Sequence, residues 1–224
     1  MSLADLAGRV VEVRDRIAAA AERGGHAQNV KLIAVTKSWG PDAIRAAWDA
    51  GVTDVGENRV QEALGKMAEV DVPVSWHLIG HLQRNKVRSL DRFSLLHSLD
   101  NSRLAEAVHE FGLGHVVDAL VQVNVVSEVS KGGYGIDSIA ALADRLALMP
   151  GVRILGVMTM APFGADERLL RRVFSAARLA RDVLASAGHP ATELSMGMSG
   201  DFEVAVEEGA TMVRLGTVLF GEKQ

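Results

Sequence analysis

Apolar positions along the chain follow two different periods. Residues 2–22 place leucine, valine and isoleucine at alternating spacings of three and four, which predicts an amphipathic helix that Gly24–Gly25 ends. After it, short apolar runs rich in β-branched residues alternate with stretches long enough for a helix. The runs predict eight strands, near residues 31–36, 54–56, 75–79, 94–99, 119–125, 154–160, 193–196 and 212–219.

The stretches between the strands carry helix start signals. Pro41 stands at a first helical position, where its missing N–H costs nothing. Asp100–Ser102 and Asp137–Ser138 offer side chains that cap helix starts. Residues 166–187 align their apolar side chains on one helix face. Helices that alternate with nearly continuous apolar strands predict a parallel sheet covered by helices.

Eight such units favour one α/β domain over residues 1–224, a (β/α)8 TIM-type barrel with an extra N-terminal helix. The alternative is an open, doubly wound sheet. The last predicted strand ends close to the end of the sequence, so we expect no helix after it. The N-terminal helix is then expected to fill that gap in the outer ring.

Composition narrows the class of protein. With 48% hydrophobic and 23% charged residues, the chain has the balance of a soluble globular protein. A net charge of −4 supplies no basic field for nucleic acid or acidic membranes, and the basic stretch 83–88 is more typical of a solvated helix face. No apolar run approaches the roughly 20 residues of a membrane span, and the first residues lack a signal-peptide pattern. We expect a cytoplasmic protein without nucleic-acid or membrane partners.

The residue types in the sequence argue against metal-binding sites and cysteine chemistry. The chain has no cysteine, which excludes disulfides and thiolate zinc sites. His77 and His81 lie close in sequence, but neither a carboxylate nor a third histidine is placed with them. We therefore predict no metal site.

Candidate chemistry lies where strands end, because barrels gather function at the carboxyl ends of their strands. Lys37 directly follows the first predicted strand. A neutral amine there would be a carbonyl nucleophile, since burial of an unpaired ammonium is costly. Taken alone, Lys37 fits better a lysine that leaves its strand and extends to solvent.

A second anchor is predicted at the last two strands. Residues 195–200 contain two glycines and two serines before a short helix, and Gly216–Thr217 end the next strand. Such segments present N–H groups and hydroxyls to an anion, and barrels commonly bind phosphate there. A glycine-rich packing turn is the alternative. Together with Lys37, this is the pairing that pyridoxal 5'-phosphate (PLP) requires, one anchor for its aldehyde and one for its phosphate. Arg214 would then face the pyridine nitrogen or make an ordinary salt bridge.

Six ordered motifs carry a resemblance to a known family. The chain resembles the PLP homeostasis proteins, which share their barrel with the N-terminal domain of alanine racemase. The resemblance covers nearly the whole length. Its motifs are Ala34–Lys37, Gly56–Glu62, Trp76–Lys86, Gly156–Ala161, Leu194–Ser199 and Val213–Thr217 with Phe220–Gly221.

The resemblance implies a role for each motif. It implies that Lys37 forms the Schiff base with PLP and that Arg214 approaches the pyridine nitrogen. The sequence departs from the family pattern at residues 130–135, which leaves the role of Lys131 open, and at Gly200, which precedes Asp201. The further residues implied in the pocket or around the phosphate are Asn58, His77, Met160, Met198, Ser199, Gly216 and Thr217.

The family is known for managing free PLP without an established reaction. We therefore expect a monomer that binds, buffers and supplies PLP, with apo PLP-dependent enzymes as candidate partners. The alternative is a PLP-dependent amino-acid racemase that uses Lys37 with Tyr134 or His77. It is less favoured, because the chain has one tyrosine and no second domain, and because an arginine at the pyridine nitrogen weakens the ring as an electron sink.

Overall fold

The computed structural model describes residues 5–126 and 132–221. Eight parallel strands form a closed barrel in sequence order, and β8 pairs with β1 through the registers Ile33–Arg214 and Ala34–Leu215. The predicted barrel is confirmed, and the open sheet is excluded. The strands are β1 (Lys31–Val35), β2 (Asp54–Glu57), β3 (Ser75–Leu78), β4 (Leu95–Leu99), β5 (Val117–Gln122), β6 (Val152–Met158), β7 (Glu193–Ser195) and β8 (Met212–Leu215).

Helices connect the strands on the outside of the barrel. Within the described residues, none of them combines the length and the apolarity that a membrane crossing requires. A 3₁₀ helix, Arg84–Arg92, takes the place of an α-helix between β3 and β4 and contains most of the basic stretch. The α-helices are α1 (Leu6–Gly24), α2 (Pro41–Asp49), α3 (Val60–Glu69), α4 (Ser102–Gly112), α5 (Ile139–Ala147), α6 (Glu167–Ser186), α7 (Phe202–Glu207) and α8 (Thr217–Phe220).

The predicted helix starts have different local structures. Asn101 accepts a hydrogen bond from the Leu104 N–H at 2.9 Å and caps α4. Asp166 caps α6 in the same way, through the N–H of Leu169 at 2.8 Å. Ser138, by contrast, makes no side-chain cap at α5, because the 3₁₀ turn Ile136–Ser138 precedes that helix directly.

The end of the chain differs from its prediction. β8 stops at Leu215, and Gly216 turns the backbone into the single helical turn of α8. The expectation that no helix follows the last strand is therefore wrong. The apolar side chains of Leu219 and Phe220 are buried in α8. In the sequence they extend the apolar run of β8, so the predicted strand was too long. The expected place of α1 is confirmed, since it packs against α7 and α8 in the outer ring.

The barrel interior holds two kinds of buried side chain. One is a small apolar cluster of Ile33, Leu95, Leu120, Met158 and Met212. The other is polar, and its members come from five different strands. Five of the buried polar side chains contact one another across the barrel, and they are Asp54, His77, His97, Ser195 and Arg214.

Candidate cofactor site

A cavity of about 520 Å³ opens at the carboxyl ends of the strands. It lies between residues at or just after the ends of β1, β2, β3, β6, β7 and β8. The structure brings eight of the nine predicted site residues to its wall, and His77 is the exception. The eight are Lys37, Asn58, Met160, Met198, Ser199, Arg214, Gly216 and Thr217.

Lys37 reaches the cavity from a turn whose backbone is held on both sides. The Lys66 ammonium donates to the Thr36 carbonyl oxygen at 2.8 Å. On the other side, the Ser38 N–H donates to Glu62 at 2.9 Å. Ser38 has a φ of 66°, a left-handed conformation that side chains rarely adopt. The Lys37 side chain itself is exposed at the cavity wall, so its attachment point is fixed while its amine stays accessible.

A buried ion pair lies beneath this turn. The Lys66 ammonium is 2.7 Å from Glu57 Oε1, which also accepts from the Thr36 hydroxyl at 2.5 Å. Glu57 is fully buried, and its Oε2 makes no hydrogen bond within the described residues. Burial raises the pKa of Glu57, although the hydrogen bonds from Lys66 and Thr36 oppose that rise. The Lys37 turn therefore rests on a charge pair that water does not reach.

Glycine and aspartate shape the loop after β7. Gly197 has a φ of 94°, and a Cβ there would lie 2.9 Å from Phe202 Cα. The Met198 N–H donates to Asp201 Oδ1 at 2.6 Å. The backbone donor at Met198 is thus used within the loop, and Met198 contributes its side chain to the cavity wall. Burial raises the pKa of Asp201, with the Met198 N–H and Arg214 acting in the opposite direction.

The two segments predicted to bind phosphate bring their N–H groups and hydroxyls together around Ser199. Its hydroxyl oxygen lies 3.3 Å from the Gly216 nitrogen and 3.2 Å from the Val218 nitrogen, and both N–H groups point to it. Thr217 is exposed between them and adds a second hydroxyl to the wall. Converging N–H groups and hydroxyls are the donor set that binds phosphate oxygens.

Arg214 is almost completely buried, with 4% of its surface exposed. Its Nη1 donates to Ser195 Oγ at 2.6 Å, and its Nη2 donates to the Thr159 carbonyl oxygen at 3.0 Å. Burial lowers the pKa of Arg214 to about 10, while Asp201 acts to raise it. The guanidinium therefore stays charged at neutral pH and faces the cavity from a fixed position.

His77 lies inside the barrel, away from the cavity wall. Its Nε2 is 2.9 Å from Asp54, and its Nδ1 is 2.9 Å from His97. Every second residue of a strand lies on the same face, so Ile79 shares a face with His77. Ile79 lies further along the chain and lines the cavity wall. His81 instead lies 2.8 Å from Asp100. Among residues 5–126 and 132–221, no three histidine, aspartate or glutamate side chains form a group that could hold a metal ion.

Sequence reasoning missed the outer rim of the cavity. The loop after β6 contributes Pro162–Ala165, and within it the Phe163 ring is fully exposed. An exposed aromatic in a short loop carries no periodic signal in the sequence. Asp201 was also missed, although its position after a glycine-serine loop is a signal for a loop-capping carboxylate. Lys131, whose role the sequence left open, lies outside the described residues.

The donor set of the cavity fits PLP. An accessible amine, a phosphate cradle and a guanidinium stand on different walls of one cavity. Residues 11–224 match the family described as alanine racemase, N-terminal domain. The chain belongs to this family. The curated relatives of this chain include pyridoxal phosphate homeostasis proteins, which form a more specific group.

Two of these relatives align over almost their whole length. The pyridoxal phosphate homeostasis protein of Aquifex aeolicus is 42% identical over 222 residues, covering 96% of this chain and 97% of the relative. That of Pseudomonas aeruginosa is 39% identical over 227 residues, covering 99% and 97%. The chain is therefore a member of the pyridoxal phosphate homeostasis proteins.

Solved structures agree with this assignment. PipY of Synechococcus elongatus, solved with PLP bound, is 37% identical, with a TM-score of 0.85 over 96% of this chain and 100% of its own. Alanine racemase of Corynebacterium glutamicum is 18% identical, with a TM-score of 0.74 over 99% of this chain and 61% of its own. The racemase thus shares the barrel, and that likeness concerns the fold alone.

Proposed function

We propose that this protein binds PLP in the cavity at the carboxyl ends of the barrel strands and buffers and supplies it in the cell. One observation carries the proposal. A single cavity presents the Lys37 amine, a cradle of donors around Ser199, and the Arg214 guanidinium. The names of the relatives and the PLP-bound PipY structure support it.

Each wall of the cavity has a part in the proposed binding. Lys37 would hold PLP through its amine, which is accessible to the aldehyde group of the cofactor. Ser199, Gly216 and Thr217 would hold the phosphate, and Arg214 would serve the pyridine nitrogen. When bound, PLP supplies an electrophilic aldehyde carbon and a ring that can delocalise electrons. Asn58, Met160 and Met198 line the same cavity and would complete the pocket around the cofactor.

A carrier is favoured over a racemase by what surrounds Lys37. A racemase needs a second proton donor on the opposite face of the substrate carbon. Tyr134 is half-buried and, within the described residues, is not part of the cavity wall. His77 is held inside the barrel by Asp54 and His97. The two candidate donors are therefore not placed to serve this cavity. We extend the proposal to a cytoplasmic monomer, with residues 1–224 acting as one domain.

The test is transfer of PLP. The loaded protein is mixed with an apo PLP-dependent enzyme, and the recovery of that enzyme's activity is followed against an equal amount of free PLP. We expect full recovery from the loaded protein and none from Lys37→Ala freed of unbound PLP. If the loaded protein kept its PLP through many hours of contact with the apo-enzyme, the proposal that it supplies PLP would be contradicted. Racemisation of an amino acid, measured by chiral chromatography and lost in Lys37→Ala, would instead establish the enzyme.

A further inference from the structure

A continuous line of hydrogen bonds crosses the inside of the barrel and ends on Arg214. We call it the interior chain, and it consists of Asp54, His77, His97, Ser195 and Arg214. The Asp54 carboxylate lies 2.9 Å from His77 Nε2, and His77 Nδ1 lies 2.9 Å from His97 Nε2. His97 Nδ1 is 2.8 Å from Ser195 Oγ, which accepts from Arg214 at 2.6 Å.

The middle of the interior chain is shielded from bulk water. His97 and Ser195 have no exposed surface, and His77 is 2% exposed. The interior of such a barrel is ordinarily filled by apolar side chains, since buried polar groups require partners for every donor and acceptor. Here three of the four links satisfy both ring nitrogens of each histidine. A line of polar groups kept inside an apolar core points to a function other than stability.

The chemistry of its two ends fixes the direction of the first and the last hydrogen bond of the interior chain. A guanidinium only donates, so Arg214 donates to Ser195. At the other end, burial acts to raise the pKa of Asp54, but hydrogen bonds from His77 and Lys31 outweigh it and hold that pKa well below its ordinary value. Asp54 is therefore a carboxylate and accepts from His77 Nε2.

The direction of the two middle hydrogen bonds depends on which ring nitrogen of His97 carries hydrogen. Burial holds the pKa of His97 well below its ordinary value, and the positive charges of Arg214 and Lys31 act in the same direction. His97 is then neutral and carries one hydrogen. If that hydrogen is on Nε2, it is donated to His77 Nδ1, and His97 Nδ1 accepts from the Ser195 hydroxyl. Every group then donates toward Asp54, and both lone pairs of Ser195 Oγ are left for Arg214.

We propose that His97 and Ser195 are positioning residues for Arg214, held in one hydrogen-bonding direction by His77 and Asp54. Ser195 and the Thr159 carbonyl fix two corners of the guanidinium, and this leaves its remaining N–H groups for the pyridine nitrogen. The inference rests on the proposed function, since it concerns how Arg214 meets PLP. A fixed guanidinium keeps the pyridine nitrogen unprotonated, because two positive charges at that distance disfavour each other.

The first test needs no PLP. Nitrogen-15 NMR of the ligand-free protein reports which ring nitrogen of each histidine carries hydrogen. We expect His77 and His97 both to carry it on Nε2 at neutral pH. Hydrogen on Nδ1 of His97 would reverse the interior chain and overturn the proposal, whatever the result for PLP binding.

The second test measures the pH profile of bound PLP. His97→Leu removes both links of the ring, whereas His97→Gln keeps one donor and one acceptor. Ser195→Ala removes only one oxygen and is the variant least disruptive to folding. In the wild type, the absorption of bound PLP is expected to stay constant between about pH 6 and 9. In His97→Leu and Ser195→Ala, it should become pH-dependent, with PLP bound about tenfold more weakly, and His97→Gln should restore the profile.

A matched control separates positioning from general loss of packing. His109 accepts from the Gly151 N–H at 3.0 Å outside the interior chain, so His109→Gln removes a histidine contact without touching Arg214. Its pH profile should equal that of the wild type. Folded, PLP-loaded Ser195→Ala with a wild-type profile would overturn the proposal. A wild type that takes up no PLP would instead contradict the proposed function, and the NMR test would still decide the direction of the interior chain.

Discussion

At the scale of single residues, Lys37 depends on neighbours that never touch the cavity. Lys66 holds the carbonyl before it, Glu62 holds the N–H after it, and Glu57 anchors Lys66 below. These three residues position the turn through its backbone. The Lys37 side chain keeps its freedom, as a residue that forms and breaks a covalent bond requires.

Removal of Lys66 is predicted to destabilise the fold. Lys66→Met leaves the fully buried Glu57 without its charged partner, and breaking a buried pair costs about 3–5 kcal/mol. Chemical denaturation measures the free energy of unfolding. Arg45→Met is the control, because Arg45 pairs with Asp42 and Asp71 on the surface and its loss should change that free energy far less.

The same variant has a predicted pH dependence. Burial raises the pKa of Glu57, and without Lys66 the opposing influence is smaller. Above the ordinary glutamate pKa of about 4.3, the unfolded chain releases a proton that the folded variant retains. Its free energy of unfolding therefore falls as pH rises, and its deficit against the wild type should be larger at pH 8 than at pH 4. A deficit that shrinks with rising pH would show that Glu57 is not the cause.

Gly197 provides the backbone conformation of the phosphate loop. Gly197→Ala places a Cβ against Phe202 and Ala205 at a positive φ, and it should cost about 1–3 kcal/mol of unfolding free energy and weaken PLP binding. Gly200→Ala is the matched control, since a Cβ there meets open space. Equal effects of the two variants on PLP titrations would contradict a special role for Gly197.

Individual site residues were predictable where sequence order determines them. Lys37, Ser199 and Arg214 lie at or directly after strands, and strand order brings them to one end of the barrel. The resemblance implied His77 at the pocket, but residues 77 and 79 share one strand face, and the depth of the cavity along that face decides that Ile79 reaches its wall. Phe163 could not be predicted, since its place depends on how a loop folds over the mouth.

At the scale of elements, α1 belongs to the fold as firmly as the helices between the strands do. Its apolar side chains, Ile17 among them, are buried against the outer ring, while Val11 points to solvent. Ile17→Ala is predicted to lower the free energy of unfolding by about 2–5 kcal/mol. Val11→Ala should stay within about 0.5 kcal/mol. If thermal denaturation finds the two variants alike, α1 does not pack as described.

Strand centres were predicted better than strand ends. Runs of apolar residues mark the middle of each strand, because burial on both sides demands them. The ends depend on turns, and at β8 the buried residues of α8 continued the apolar run past the true end at Leu215. The 3₁₀ helix Arg84–Arg92 carries no period that separates it from an α-helix in the sequence.

At the scale of the whole molecule, closure of the barrel creates the site. Lys37 follows β1 and Arg214 lies in β8, and the pairing of these two strands brings residues far apart in sequence to one cavity. The count of eight strand-helix units favoured that closure over an open sheet. The interior chain could not be predicted, since it requires knowing which strand faces meet across the barrel.

The most direct test of the PLP site is to locate the bound cofactor by chemistry. The loaded protein is reduced with borohydride, digested, and analysed by mass spectrometry, with Lys37→Ala treated in parallel. We predict one pyridoxyl-phosphate group, on the peptide that contains Lys37, and none in the variant. Attachment to a different lysine, or an unmodified Lys37 in a protein that still binds PLP, would contradict the proposed site.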